Sequence, residues 1–136
     1  MIRVLGLTVA AVSLVVPAIL AAAIAAPAPP PSKGQALFKE NCSVCHKVTG
    51  LGVPGSFPAL AGNRFLTRDG ATIAKVVLNG RGGMPSFRDD LSDAEISTVI
   101  SYIRSSWGNK APPVPATVVA GARAGMSGAA RGLQAH

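Results

Sequence analysis

Two cysteines and a histidine fall in one short run, Cys42-Ser43-Val44-Cys45-His46. The pattern is C-x-x-C-H, which reads as c-type haem attachment. Two thiols one helical turn apart can add to the two vinyl groups of one porphyrin. His46, next to the second thioether, is then held under the iron as an axial ligand. Other chemistries use parts of the same set. A thioredoxin-like dithiol needs a βαβ setting, and no alternating strand pattern appears. A structural zinc site wants four ligands, commonly a second C-x-x-C or H-x-x-x-H pair. This chain has no further Cys, and its other His is the terminal His136. A simple disulfide beside a bystander His remains as an alternative.

A ligand imidazole binds metal through one nitrogen and donates from the other to a fixed acceptor. A backbone carbonyl in the 52–58 loop is the natural candidate for that acceptor. The sixth position of an iron would fall to Met84, in the loop Gly82-Gly83-Met84-Pro85. The two glycines allow close backbone approach, Pro85 stiffens the loop, and a thioether ligand raises the potential. Core filler is the usual fate of a Met. Met126 and His136 are rivals on a tail without packing signals.

Short helices must present these residues. Ser32 and Gln35 fit a capping box for a helix over 33–42 carrying Leu37 and Phe38. Residues 47–70 lack a sustained period and read as a long loop, with one helical turn at 63–68. So long a loop in so small a domain implies that it wraps something. Ile73, Val76 and Val77 mark a helix over 71–79, which Asn79-Gly80 stops. Ser92-Asp93-Ala94-Glu95 is the best capping box, and Ile96, Val99, Ile100, Ile103 and Trp107 follow on one face of a helix over 93–107. The fold class is all-α, with short helices and long loops.

The composition limits what such a chain can be. It has 136 residues, 49% apolar and 14% charged, with a net charge of +7. That is one small domain, neither a polyelectrolyte nor a disulfide scaffold. Residues 32–108 hold nine basic and six acidic groups, a net of +3, so the ends contribute the rest. The bases are scattered, unlike the stripe a nucleic-acid binder would present. About 77 residues with few large apolar side chains should be only marginally stable. A buried porphyrin would supply the missing apolar volume.

Met1-Ile2-Arg3 and the uncharged run from Val4 to Ala26 read as an export signal or a membrane anchor. Residues 1–26 are therefore a signal peptide or N-terminal anchor, and a membrane tether through 4–26 is the second option. Four prolines in residues 27–31 form a semi-rigid linker. Residues 109–136, rich in Ala, Gly and Pro, are expected to be a low-complexity, disordered tail.

Leu37-Phe38 ahead of Asn41-Cys42-x-x-Cys45-His46, Pro58-Ala59-Leu60, the loop Arg81-Gly-Gly-Met84-Pro85, and Tyr102 with Trp107 together resemble the class I c-type cytochromes. The resemblance covers about residues 33–108. It implies a small cytochrome c fold over 32–108, wrapped around one covalently bound haem c. It further implies thioethers at Cys42 and Cys45, axial ligands His46 and Met84, and a Pro58 carbonyl that accepts from His46. Tyr102 would pack on the first helix, with Gly34 as the point of close approach. Asn63, Arg64 and Arg81 are the candidates for contact with the haem propionates. The phrases Gly52-Val-Pro54-Gly55-x-Phe57-Pro58-x-Leu60-Ala61-Gly62-Asn63 and Tyr102-Ile-Arg-x-x-Trp107-Gly-Asn109 resemble cytochrome subunits linked to bacterial quinoprotein alcohol dehydrogenases and related periplasmic oxidoreductases. Those subunits are often multihaem, whereas one C-x-x-C-H here makes a single-haem module.

The expected function is a periplasmic one-electron carrier, not an enzyme. It would run between a dehydrogenase or quinol-oxidising complex and an acceptor such as a terminal oxidase. Lys39, Lys47, Arg64, Arg68, Lys75, Arg81 and Arg88 are the rim charges that could steer an acidic redox partner. The competing classes are a haem sensor or peroxidase-like enzyme with a labile or absent sixth ligand, and a metal-free interaction module.

Overall fold

In the computed structural model, which describes residues 31–133, Ser32 opens the first helix by accepting from the Gln35 amide at 3.2 Å. Residues 1–30 and 134–136 fall outside the described residues, and with them the signal or anchor and most of the proline-rich linker. Helix α1 is Lys33–Asn41, followed directly by the four-residue α2, Ser43–His46. A 3₁₀ turn at Arg64–Thr67 interrupts the long loop, then come α3, Gly70–Asn79, and α4, Asp93–Ser105. These spans match the expected helices to within two residues at each end, and no strand occurs among the described residues. The all-α fold with short helices and long loops is therefore found.

α1 crosses α4. A methyl at Gly34 would lie 2.6 Å from Tyr102 Cβ and 3.0 Å from the Thr98 carbonyl, so only a hydrogen fits at the crossing. Phe38, Tyr102 and Trp107 fill the space beside it, with ring centroids 4.9 to 5.8 Å apart. Such pairs add to the burial of apolar area. α4 carries both halves of its capping box: Ser92 Oγ accepts from the Glu95 amide, and Glu95 accepts from the Ser92 amide. Its inward face, Ile96, Val99, Ile100 and Ile103, is buried.

The tail differs from expectation. Residues 109–136 were expected to be disordered, yet Ala116–Leu133 forms a fifth helix, α5, which packs on α3 and α4. Val114, Val119 and Ala122 are buried in the common core. The physical reason lies in the partner surface. α3 presents Gly70, Ala71 and Ala74, and small residues facing small residues let two helices approach closely without bulky side chains. A methyl at Gly70 would meet Val114 Cγ1 at 2.8 Å. The chain leading into α5 is held as well. The Val114 carbonyl accepts from Ser97 Oγ at 2.6 Å, and the Val114 amide donates to Ser101 Oγ at 3.0 Å. Arg104, 3% exposed, donates to the Pro112 and Arg68 carbonyls, both at 2.7 Å.

Candidate functional site

α1 ends at Asn41, and Cys42 bridges it to α2 by accepting the His46 amide at 3.0 Å. Cys42, Cys45 and His46 thus follow one turn of backbone. Both cysteines are free and half-buried, and His46 is buried. Burial, helped by the neighbouring Cys45 thiol, pushes the Cys42 thiol up to about 11. A redox-active dithiol needs the opposite shift, so the thioredoxin-like reading loses support. Among the described residues no three His, Cys, Asp or Glu side chains group to hold a metal ion, which leaves the zinc reading without its ligands there.

After His46 the chain turns back on itself. The His46 carbonyl accepts from the Gly52 amide at 2.9 Å, and Val53 and Phe57 exchange two 2.8 Å bonds across a tight turn. Leu60 and Ala61 both donate to the Gly50 carbonyl. This folding sets the Pro58 carbonyl 3.0 Å from His46 Nδ1. A carbonyl only accepts, so Nδ1 carries a proton, and in the neutral ring Nε2 then holds the lone pair. That is the tautomer a metal-ligating histidine requires. Gly52 makes the geometry reachable. Its φ is +64°, and a methyl there would stand 2.3 Å from the Phe57 carbonyl oxygen and 2.6 Å from that of Pro58.

Met84 stands on a separate loop between α3 and α4, half-buried. Its amide donates to the Arg81 carbonyl at 3.0 Å and its carbonyl accepts from the Arg81 amide at 3.1 Å. Farther along, Ser86 Oγ donates to the Leu78 carbonyl at 2.6 Å and the Phe87 amide to the Val77 carbonyl at 3.0 Å. The loop is therefore fastened to the end of α3. Arg81 and Arg68 flank the Phe65 ring, their guanidinium carbons 5.5 and 5.6 Å from its centroid. That contact joins the Met84 loop to the 3₁₀ turn.

The remaining expected site residues divide. Arg64 and Arg81 are exposed near this junction. Asn63 is held by backbone instead: Oδ1 accepts from the Phe65 amide at 2.9 Å and Nδ2 donates to the Ala59 carbonyl at 2.6 Å. Its amide caps the 3₁₀ turn. Of the rim charges, Lys75 lines a groove between α3 and α5 with Val118, Gly121 and Gly125. Arg88 donates to Asn79 Oδ1 at 3.2 Å. Two positioning residues stand in the resembling phrases of the sequence but carry no role there. One is Gly52, at the start of the first phrase. The other is Asn109, whose Nδ2 donates to the Leu60 and Ile103 carbonyls and ties the His46 loop to the end of α4.

The residues present fit a porphyrin. The large apolar side chains left exposed among the described residues are Val44, Val48, Leu51 and Phe57, between 36% and 77% exposed. All lie within 13 residues of His46 in sequence, in the α2 turn and the loop that folds back on it. Apolar groups gathered there want a cover. Two thiols, an imidazole bonded through Nδ1 and this apolar surround are groups that suit a haem.

Comparison with known proteins agrees. The cytochrome c subunit of a quinone alcohol dehydrogenase from Gluconobacter oxydans (strain 621H) is 37% identical over 91 residues, 58% of this chain and 19% of that protein. The cbb3-type cytochrome c oxidase subunit CcoP of Azospirillum brasilense is 33% identical over 85 residues, 57% of this chain and 29% of that protein. Cytochrome c-552 of Thermus thermophilus is 34% identical over 85 residues, 51% of this chain and 64% of that protein. The chain thus spans about a fifth of the dehydrogenase subunit it matches. The family model described as cytochrome c oxidase, cbb3-type, subunit III, matches residues 29–103, more than half of the chain. The chain belongs to that family and is a class I c-type cytochrome domain, an electron-transfer module whose cofactor is haem c.

Proposed function

We propose that this chain is an exported single-haem electron carrier, with Cys42 and Cys45 as the thioether anchors and His46 and Met84 as the iron's axial ligands. The observation that carries the reading is the 3.0 Å contact between His46 Nδ1 and the Pro58 carbonyl, which leaves Nε2 free to ligate. Bound there, haem c supplies a one-electron Fe(III)/Fe(II) couple. The protein residues hold that couple in one geometry. Pro58 fixes the imidazole plane and strengthens its basicity. Met84, on a loop bonded to α3, offers a thioether that favours the reduced form. With His46 and Met84 both holding the iron, the same side chains would serve both oxidation states and reorganisation would be small.

The donor would be a dehydrogenase or quinol-oxidising complex and the acceptor one such as a terminal oxidase, a reading supported by the alcohol dehydrogenase and cbb3-type oxidase subunits among the relatives. Lys39, Lys47, Arg64, Arg68 and Arg81 are exposed and suit steering toward an acidic partner. Residues 1–26 would deliver the domain to the periplasm, as a cleaved signal or as a tether. No helix among the described residues is long and apolar enough to cross a membrane. Arg64 and Arg81 would meet the propionates.

The intact mass of the exported protein tests this directly. It should exceed the polypeptide mass by one haem, and it also reports whether residues 1–26 remain. Unmodified thiols in protein from a host with working haem maturation would overturn the reading. In the loaded protein, Met84→Ala should abolish the weak sulfur-to-iron band in the near infrared and open the reduced iron to carbon monoxide. An unchanged band would remove Met84 from the iron and favour a sensor or peroxidase-like class.

A further inference from the structure

α5 lies beyond residues 29–103, the part that matches the family model, yet one of its side chains reaches the segment that follows Met84. Arg123 Nε donates to Asp93 Oδ1 at 2.7 Å, and Nη2 donates to the Leu91 carbonyl at 3.0 Å. Nη1 donates to the Arg88 carbonyl. One guanidinium thus grips residues 88, 91 and 93, four to nine positions after Met84. On the near side, the same loop is bonded to the end of α3 through Ser86 and Phe87. Within the gripped stretch Leu91 is buried, and its amide donates back to the Phe87 carbonyl at 3.1 Å. The ion pair is partly buried, with side-chain exposures of 26% and 31%, and two of its donors go to main-chain carbonyls rather than to solvent. A planar fork of this kind fixes several acceptors at once.

We propose that Arg123 is a positioning residue for the sixth iron ligand: α5 is a latch that holds the 87–92 segment shut and so keeps Met84 in its ligating place. The proposal rests on Met84 as an axial ligand. Loss of the latch frees the segment to open locally while α1, α2 and the His46–Pro58 contact stay as they are. Local opening is set by the bonds that close a segment, not by global stability.

Three variants of the haem-loaded full chain test it: Arg123→Gln, Arg123→Lys and Val119→Ala. Val119 is fully buried on α5, so its truncation weakens the docking of the same helix while leaving the Arg123 fork in place. Carbon monoxide binding to the reduced protein reports how often Met84 leaves the iron. Loss of about one charge-assisted bond raises the open population by about tenfold. Arg123→Gln should therefore speed that binding by about tenfold and raise amide exchange at Phe87 and Leu91. Arg123→Lys, which keeps the charge but not the fork, should fall between it and the parent and remains informative if the Gln variant does not fold. Val119→Ala should lower the melting temperature with far less effect on either readout. Equal effects per degree of melting temperature in the Arg123 and Val119 variants would reduce Arg123 to general support and overturn the latch. A parental carbon monoxide rate in both Arg123 variants would overturn it as well. Met84→Ala is the separate control: if it leaves the near-infrared band in place, the ligand assignment itself fails, and the latch falls with it.

Discussion

A methyl group at position 52 would collide with two carbonyl oxygens, one of which is the acceptor for His46. Gly55 sits in the next turn with a similar left-handed φ of +77°, but no protein atom lies within 4 Å of where its side chain would begin. The pair separates two effects. Gly55→Ala carries backbone strain alone, about 1 kcal/mol. Gly52→Ala carries the same strain and must also move the Pro58 carbonyl, for a total of roughly 2–4 kcal/mol. Moving that carbonyl weakens the Nδ1–H bond and makes the imidazole a poorer donor to iron. The midpoint potential of Gly52→Ala should therefore rise, while that of Gly55→Ala should hold. Denaturant titration and potentiometry of the two loaded variants check this, and equal potentials would mean that the Pro58 contact does not tune the ligand. The same positions mark what could be seen from residue types. Cys42, Cys45 and His46 announce themselves because their chemistry needs that spacing. Gly52 does not, because its role depends on a carbonyl six residues away that only the folded loop brings near.

Local patterns were good guides wherever a helix carried its own signals. α4 has an acid-rich first turn, a reciprocal cap and large apolar residues on one face, and it forms over the expected span. The cap makes a pH prediction. Hydrogen bonds from the Ser92 hydroxyl and amide hold the Glu95 carboxyl below its ordinary value of 4.5. A carboxyl whose folded-state value is depressed adds stability above the unfolded value, and that stability is lost as pH falls through the folded one. Glu95→Gln should therefore be less stable than the parent at neutral pH and converge with it in acid. Thermal melts of both proteins between neutral pH and pH 3 (roughly the acid limit of a depressed carboxyl) check this. Parallel melting curves would show that the cap is not charge-dependent. α5 was missed for a reason of the same kind. Hydrophobic periodicity is weighted by large side chains, and the stripe α5 buries is made of Val119 and Ala122. Those residues suffice because α3 offers Ala74, fully buried, and Gly70 beside Val114. The signal was in the fit between two surfaces, and no single segment carries it.

Across the whole molecule the buried apolar residues are unevenly shared. Of the fourteen in the described core, Leu66 comes from the 3₁₀ turn, Leu91 from a loop and Val114 from the chain leading into α5; the others lie on α1, α3, α4 and α5. The tail adds Val114, Val119 and Ala122, so part of the apolar volume the 32–108 region lacks is supplied by the polypeptide itself. The loop from Lys47 to Asn63 adds only the partly buried Leu60 to the edge of that core and leaves Val48, Leu51 and Phe57 exposed. The two hydrogen bonds between Val53 and Phe57 lie in the turn that carries exposed Phe57, and no buried apolar residue of that turn covers them. In the proposed holoprotein the porphyrin is that cover. Two layers of stability follow, one owned by the helices and one by the prosthetic group. Preventing attachment with Cys42→Ala and Cys45→Ala should therefore strip exchange protection from the amides of Val53 and Phe57. The amides of Leu78, Val99, Ile100 and Ile103 should keep much of theirs, because they sit on helices that pack against one another. Residue-resolved hydrogen exchange of the doubly substituted protein beside the loaded parent makes the comparison. If protection vanished everywhere together, the helices would have no core of their own and α5 would not be supplying one. If the loop amides stayed protected, the loop would not need a cover, and its exposed apolar side chains would require another explanation.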